Sequence, residues 1–277
     1  VERPDFKPAR LPTNEDSRLS AVRRTGLMGS QALARFEIYT RLFRHIAGVP
    51  VSYTGLLDEA RQYFLSENFT GCLTGATEVA RENTVCQHAL LDTKPFVVPD
   101  MRLHPTFEAH PLVTSDPHWV FWAGFPLVTQ EGYILGTICA VDFVARDLTA
   151  EQLDLLTGVA ADLTLSIQLQ TDHQERVAGA CDAVLASLQG AGVQGLTAAR
   201  GFFSLCRELP VTPEQEAQLL ATGLATRSDG QLLLSAAGNT LKTGHGLGPA
   251  EYKTRTSPLR DTDMLDAMFD MITEAEG

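Results

Sequence analysis

This sequence has no apolar run approaching the roughly 18 to 20 residues that a membrane helix needs. Its first residues, VERPDFKPARLP, lack the apolar stretch of a secretory leader. The expected location is therefore the cytoplasm, without a membrane partner. Cysteine is scarce: Cys72, Cys86, Cys139, Cys181 and Cys206 are odd in number, widely spaced and free of any CxxC pair. Neither a disulfide framework nor a zinc site follows from that pattern. Basic residues are short as well. With 22 Lys and Arg against 34 Asp and Glu the formal net charge is −12, which disfavours a broad nucleic-acid surface, because phosphate binding rests on Lys and Arg. A Walker A loop, a GxGxxG, an HExxH, a kinase ATP-lid motif and a GGDEF-like cyclase signature are all missing. The expectation is a protein that is not an enzyme and holds no metal and no cofactor.

What is present is patterning for a globular chain of one large or two ordinary domains. Phe121 to Val128 and Tyr133 to Val141 are apolar runs separated by polar residues with a glycine, which predicts a hairpin of two buried antiparallel strands. Gly124 and Gly136 inside those strands point to bulges or to a group lying close against the backbone. Pro50 to Leu57 and Arg61 to Leu65 read as two earlier strands joined through Asp58-Glu59. Helical periodicity marks Gln31 to Ala47, through Leu33, Phe36, Ile38, Tyr39, Leu42, Phe43 and Ile46, and a second helix over Thr77 to Leu91. Cys86 and His88 on that second helix would point about 200° apart, so a nucleophile and base pair is not expected. Residues 1–30, rich in proline at the start, read as an arm, with Asn14 to Ser17 capping a short helix through Arg24. Arg23 and Arg24 read as a solvated surface pair. His104, His110 and His118, interspersed with acids on a Pro-rich loop, lack metal-ligand spacing.

Five separate pieces in order, Val85-Cys86-Gln87-His88-Ala89, Phe96-Val97-Val98-Pro99-Asp100, His110-Pro111-Leu112-Val113, Phe121 to Leu127 and Gly136 to Asp142, resemble a GAF domain. The similarity is to the type found in bacterial sensor kinases and other signalling proteins, over roughly residues 33 to 170. It implies an antiparallel sheet flanked by helices. It also implies a small-molecule pocket lined by Tyr53, Cys86, Val98, Phe121, Trp122, Gly124 and Cys139. The chain departs from the family pattern at His104-Pro105-Thr106-Phe107, where Asp-Pro-Arg-Phe is commoner, and at Ala145-Arg146, where Pro-Arg is commoner. Loss of an arginine at Thr106 weakens any transfer of ligand chemistry that needs a charge there.

After the hairpin, Thr149 reads as an N-cap, and Leu153, Leu156, Ala160, Leu163, Ile167, Gln170, Gln174, Val177, Cys181, Val184 and Leu188 follow steps of three and four. A helix over 153–188 would be about 54 Å long at about 1.5 Å per residue. That length predicts a homodimeric coiled coil, with Leu153, Leu156, Ala160, Leu163, Ile167, Val177, Val184 and Leu188 at its seam. A helix broken near Asp172 to Glu175 is the competing reading. Beyond the Gly-rich break at 190–195, two helices and an Asp229-Gly230 hairpin resemble the second half of a winged-helix domain. From residue 172 onward 14 Asp and Glu face 8 Lys and Arg, which favours docking to protein over DNA.

The expected chain is thus α+β. An arm at 1–30 precedes a GAF domain at 31–152, a signalling and dimerisation helix at 153–189, and a small helical or winged-helix-like domain at 190–242. A tail at 243–277 carries an amphipathic helix from Met264 to Ile272. The expected function is sensory or regulatory, with a homodimer, a protein partner and an unidentified small ligand. A GAF-controlled transcription regulator is the alternative, and a redox enzyme using Cys72, Cys86 or Cys139 stands further off.

Overall fold

The computed structural model describes residues 6–30, 34–69, 73–193, 195–228 and 230–247. Cys72 and the segment Met264 to Ile272 lie outside them. The strands are β1 (Val51–Leu57), β2 (Arg61–Glu67), β3 (Glu78–Ala80), β4 (Phe96–Val98), β5 (Phe121–Val128), β6 (Ile134–Asp142), β7 (Ala225–Ser228) and β8 (Gln231–Leu234). The α-helices are α1 (Glu15–Arg24), α2 (Glu37–Ala47), α3 (Pro111–Thr114), α4 (Ala150–Gly190), α5 (Leu196–Cys206), α6 (Pro213–Ala221) and α7 (Ala236–Gly244). They form two compact units, Val1–Arg176 and Val177–Gly277.

In the first unit six strands make one antiparallel sheet in the order β3-β2-β1-β6-β5-β4. The expected hairpin is its centre: β5 and β6 pair with Gly124 opposite Cys139, and β6 pairs with β1 with Cys139 opposite Tyr53. Both strands are almost wholly buried because both faces of the sheet are covered. Alternate residues then enter different cores. On one face Phe121, Ala123, Phe125, Leu135, Ile138 and Ala140 pack with α1, α2 and the first half of α4. On the other, Val51, Tyr53, Val98, Trp122, Cys139 and Val141 pack with a 3-10 helix (Val85–Leu91) and the loops around α3.

Several expectations change here. Residues 15–28 are no arm: Val22 and Leu27 are buried in the first core, and the buried guanidinium of Arg18 donates to the Leu57 and Ile134 carbonyls. The helix expected from Gln31 starts at Glu37 after a 3-10 turn, and Gly48 in the left-handed region ends it. No single helix covers Thr77 to Leu91. Its first residues extend the sheet, Gln62 pairing with Val79, and 3-10 turns follow. Edge pairing satisfies the backbone of 78–80 and overrides the weak helical pattern. Arg23 and Arg24 are surface residues, pairing with Glu59 and with Glu175 and Asp172.

The helix α4 is continuous over 41 residues, unbroken at Asp172 to Glu175. Its expected seam, however, is occupied. Leu156, Ala160, Leu163 and Ile167 are buried in the first unit's own core, with Leu153 packed at its edge. Val184 and Leu188 are buried in the second unit's core. Side chains already enclosed by their own chain cannot interlock with a second copy, so those positions are core, and only Val177 of the seam stays exposed.

The second unit gathers Val184, Leu188, Ala198, Ala199, Phe202, Cys206, Leu219 and Leu224 around α5, α6 and the β7–β8 hairpin. Thr212 and Gln215 form a reciprocal capping box at the start of α6. The acidic first turn of α6 is partly neutralised within the unit, since Arg227 pairs with Glu216 at 2.6 Å.

Candidate functional site

The chemistry-bearing side chains of the first unit meet on the sheet face that carries the 3-10 helix. Register sets the row: Tyr53 on β1, Cys139 on β6, Gly124 on β5 and Phe96 on β4 lie opposite one another across four strands. One step along is a second row, Val51, Val141, Trp122 and Val98. Both rows face the same way because side chains repeat every second residue. Above them the 3-10 helix lowers Cys86 onto the sheet, with the Thr84 hydroxyl accepting the Cys86 N–H at 3.2 Å.

At the centre is a chain of polar atoms inside an apolar layer. Trp122 Nε1 donates to the Tyr53 hydroxyl at 3.0 Å. The hydroxyl's own proton is then free for Cys86 Sγ, 3.2 Å away. Cys86 Sγ lies 3.5 Å from Cys139 Sγ, and Cys139 Sγ lies 3.2 Å from Thr137 Oγ1. Tyr53, Cys86, Trp122, Thr137 and Cys139 are all buried. Burial by itself raises the Cys86 thiol, but the polar side chains around it, Cys139, Thr137, Tyr53 and Gln62, outweigh it and bring the group down to about 6. Burial and the adjoining Cys86 push Cys139 and the Tyr53 phenol well up. The pair therefore gives up one proton readily and holds the other tightly.

Of the seven expected pocket residues, the structure brings together Tyr53, Cys86, Val98, Trp122 and Cys139. Gly124 belongs with them, though not as ligand space: a Cβ there would run into the Trp122 ring, so the missing side chain makes room for the chain's own indole. Phe121 is on the opposite face, in the core with α1, α2 and α4. Adjacent residues of one strand cannot line one pocket, so including Phe121 with Trp122 is corrected. The space above the rows is filled by aromatic rings, with Tyr53 against Phe64, Phe69 and Trp119, and Trp122 against Phe96 and Phe107.

The N-terminal segment closes over the outside of the 3-10 helix. Ala9 N–H donates to Gln87 Oε1 at 3.0 Å, and the Phe6 ring meets His110 at 4.3 Å and His88 at 5.8 Å. Burial lowers both histidines to about 4, and for His88 the neighbouring His110 and His104 add to the effect. His104, His110 and His118 do not converge: one stacks on Phe107, one is held by Asn83 and Leu112, and one faces the Val113 carbonyl. Among the described residues no group of three or more His, Cys, Asp or Glu could hold a metal ion.

The sequence pointed to Cys86 and Cys139 as implied pocket residues and as candidates for a remote redox reading, without pairing them with Gln62, Thr84 or Thr137. Their meeting depends on the β1–β6 register and on the 3-10 helix. The one local signal was Thr84, two residues before Cys86.

Residues 32–167 match the model of the GAF domain family. A protein of Pseudomonas aeruginosa named Cyclic di-GMP phosphodiesterase PA2567 is 31% identical over 141 residues, 51% of this chain and 23% of that protein. The chain thus spans about a quarter of the length of this curated relative. Among solved structures, a sensor histidine kinase domain from Sinorhizobium meliloti is similar at 17% identity and TM-score 0.42, over 53% of this chain and 99% of that one. A type II free methionine-R-sulfoxide reductase from Thermoplasma acidophilum matches at 14% and 0.41, over 49% and 91%. The PixJ GAF domain of Thermosynechococcus elongatus matches at 12% and 0.45, over 61% and 96%. The expectation that the chain is not an enzyme is overturned by the Pseudomonas relative, which is named for a phosphodiesterase activity. The family match stops at residue 167, so it lends nothing to the winged-helix expectation for 190–242. Among the described residues no helix is long and apolar enough to cross a membrane. Residues 32–167 of this chain are thus a GAF domain, a module of signalling proteins.

Proposed function

We propose that the GAF domain is the sensory input of a cyclic-dinucleotide signalling protein and biases a phosphodiesterase output through α4. The observation that carries this reading is the 31% identity over 141 residues with a protein named for cyclic di-GMP hydrolysis. The helix supports it mechanically. Leu163 and Ile167 of α4 belong to the sheet's own core, while Val184 and Leu188 of the same helix belong to the second unit's core. In this reading, repacking against the sheet is passed on through α4.

The reading includes a homodimer, with a contact face different from the seam expected at first. Leu155, Leu165 and Leu169 are exposed at 49%, 41% and 57%, and they fall within about 80° of one another at about 100° per residue. Ile38 and Leu42 of α2 are exposed too, and α2 lies beside α4, with Tyr39 donating to Asp162. This is the apolar face that a second copy would cover. We further propose a protein partner for the second unit.

The test is a chimera in which this chain's residues 1–190 replace the matching stretch of the Pseudomonas protein, with hydrolysis of cyclic di-GMP as the readout. Tyr53→Phe in the chimera is expected to change kcat or KM at least about fivefold, the lower end of ordinary coupling energies. Identical rates in the two versions would refute the regulatory reading.

A further inference from the structure

Two buried thiols in van der Waals contact are an unusual use of core volume, and here the cluster around them is polar. Cys86 Sγ and Cys139 Sγ are 3.5 Å apart, on the 3-10 helix and on β6. Tyr53 presents its hydroxyl to one sulfur at 3.2 Å, and Thr137 lies 3.2 Å from the other. Gln62 is fully buried, and its amide nitrogen has no conventional hydrogen-bond partner, although its oxygen accepts from Thr84. An orphaned buried donor is ordinarily destabilising. Gln62 is among the side chains that favour a negative sulfur at Cys86. An inert packing cysteine needs none of these groups. Cys206 shows the contrast in the same chain: it is buried in the second unit, and burial simply raises it.

We propose that Cys86 and Cys139 form a reversible dithiol–disulfide pair, oxidised by a small hydroperoxide, which gives the GAF domain a redox input. The Cys86 thiolate attacks one peroxide oxygen and the O–O bond breaks. The departing oxygen takes up a proton and leaves as water, or as the alcohol of an organic hydroperoxide, and Cys86 becomes a sulfenic acid. The Cys139 sulfur then attacks the Cys86 sulfur, a sulfur–sulfur bond replaces the S–O bond, and the Cys139 proton leaves with the hydroxide as a second water. Two thiols are oxidised by two electrons, and the peroxide is reduced by two. Cys86 is the attacking group because its neighbours favour the anion, and Cys139, 3.5 Å away and kept protonated by burial, resolves the intermediate.

Bond formation needs the sulfurs to close by roughly 1.5 Å, and the 3-10 helix is the element that has to shift. Its hydrogen bonds are poorer than α-helical ones, whereas Cys139 is fixed between β1 and β5. The 3-10 helix also holds the N-terminal segment through Gln87 and Ala9. Oxidation therefore pulls on the segment that enters α1. Calling the pair an input rests on the signalling reading above, but its thiol chemistry does not. The test below reads the thiols directly, so its failure cannot be confused with failure of the hydrolysis experiment.

The full chain is treated with hydrogen peroxide up to the dose that oxidises the exposed Cys181, then alkylated, digested without reductant and mapped by mass spectrometry. The expected product is a Cys86–Cys139 linked peptide pair, about 2 Da lighter than its reduced parts, which dithiothreitol reverses. The rate should follow deprotonation of a group well below the ordinary thiol value, and Tyr53→Phe should slow it several-fold at neutral pH and move the inflection upward. Cys139→Ser should abolish the cross-link and leave a Cys86 sulfenate that a cyclic 1,3-diketone captures. Survival of both thiols while Cys181 is consumed would overturn the proposal, as would a bridge from either one to Cys72, Cys181 or Cys206.

Discussion

Acid sensitivity shows at the scale of single residues what the fold does to charge. Glu15 sits between Arg18 and Arg81. Burial works against its charge, but hydrogen bonds from both arginines prevail and hold it at about 2. Because the folded value lies below the ordinary 4.5, its contribution is complete above that pH and disappears as pH falls toward 2. His88 and His110 are also depressed, by burial, to about 4. They stabilise the fold as neutral rings, fully above pH 6.5, and this contribution is lost between 6.5 and 4. Urea denaturation across pH should therefore show stability falling in two stages. Glu15→Gln should flatten the lower stage and leave the upper one, and a single stage near 4.5 would contradict the assignment. Gly136 tests packing at the same scale. A Cβ there would strike the Gly55 carbonyl oxygen on the neighbouring strand, backbone against side chain with nothing flexible to give way. Gly136→Ala is expected to cost at least about 2–3 kcal/mol, the upper part of the range for overpacking, visible as a lower urea midpoint. This close approach was legible in advance as a glycine inside a bulky strand. For Gly124 the same signal suggested ligand space, and the group that came close was Trp122.

At the scale of elements, the central strands were easy to recognise because apolar runs of strand length bounded by turns have few other readings. The stretch 77–91 was not. Its apolar residues fit a helical period, yet residues 78–80 sit at a sheet edge and 85–91 wind as a 3-10 helix, choices made by pairing with β2 and by the Thr84 cap. The helix α4 was correct in extent and wrong in allegiance. A stripe at steps of three and four says that a face is covered, and the covering partner can equally be a sheet in the same chain. The two faces can be told apart by mutation. Leu163→Ala should lower stability by about 2–5 kcal/mol, as large-to-small core changes do. Leu169→Glu should leave the unfolding free energy within about 0.5 kcal/mol of the parent and shift sedimentation toward monomer. Unchanged sedimentation for Leu169→Glu would remove the outer face of α4 as the contact between copies.

For the whole molecule, the two units have separate hydrophobic cores, so unfolding should not be a single event. Scanning calorimetry is expected to show two transitions. Leu188→Ala should lower only the one belonging to the second unit, and a uniform shift of both would argue for one cooperative body. Residue order alone was enough to determine the antiparallel sheet, its hairpin centre, the long helix and the family, because these follow from periodicity, turn chemistry and motifs carried by neighbouring residues. Tertiary structure alone decided which side of the sheet each strand residue serves, that the first thirty residues supply a core helix and a buried arginine, and that the stripe of α4 is spent on its own sheet. It also brought Cys86 to Cys139 across 53 positions of sequence. Local patterns report that a side chain is covered and leave open what covers it; strand register and the docking of a short helix settle that, and they form only when distant segments pack.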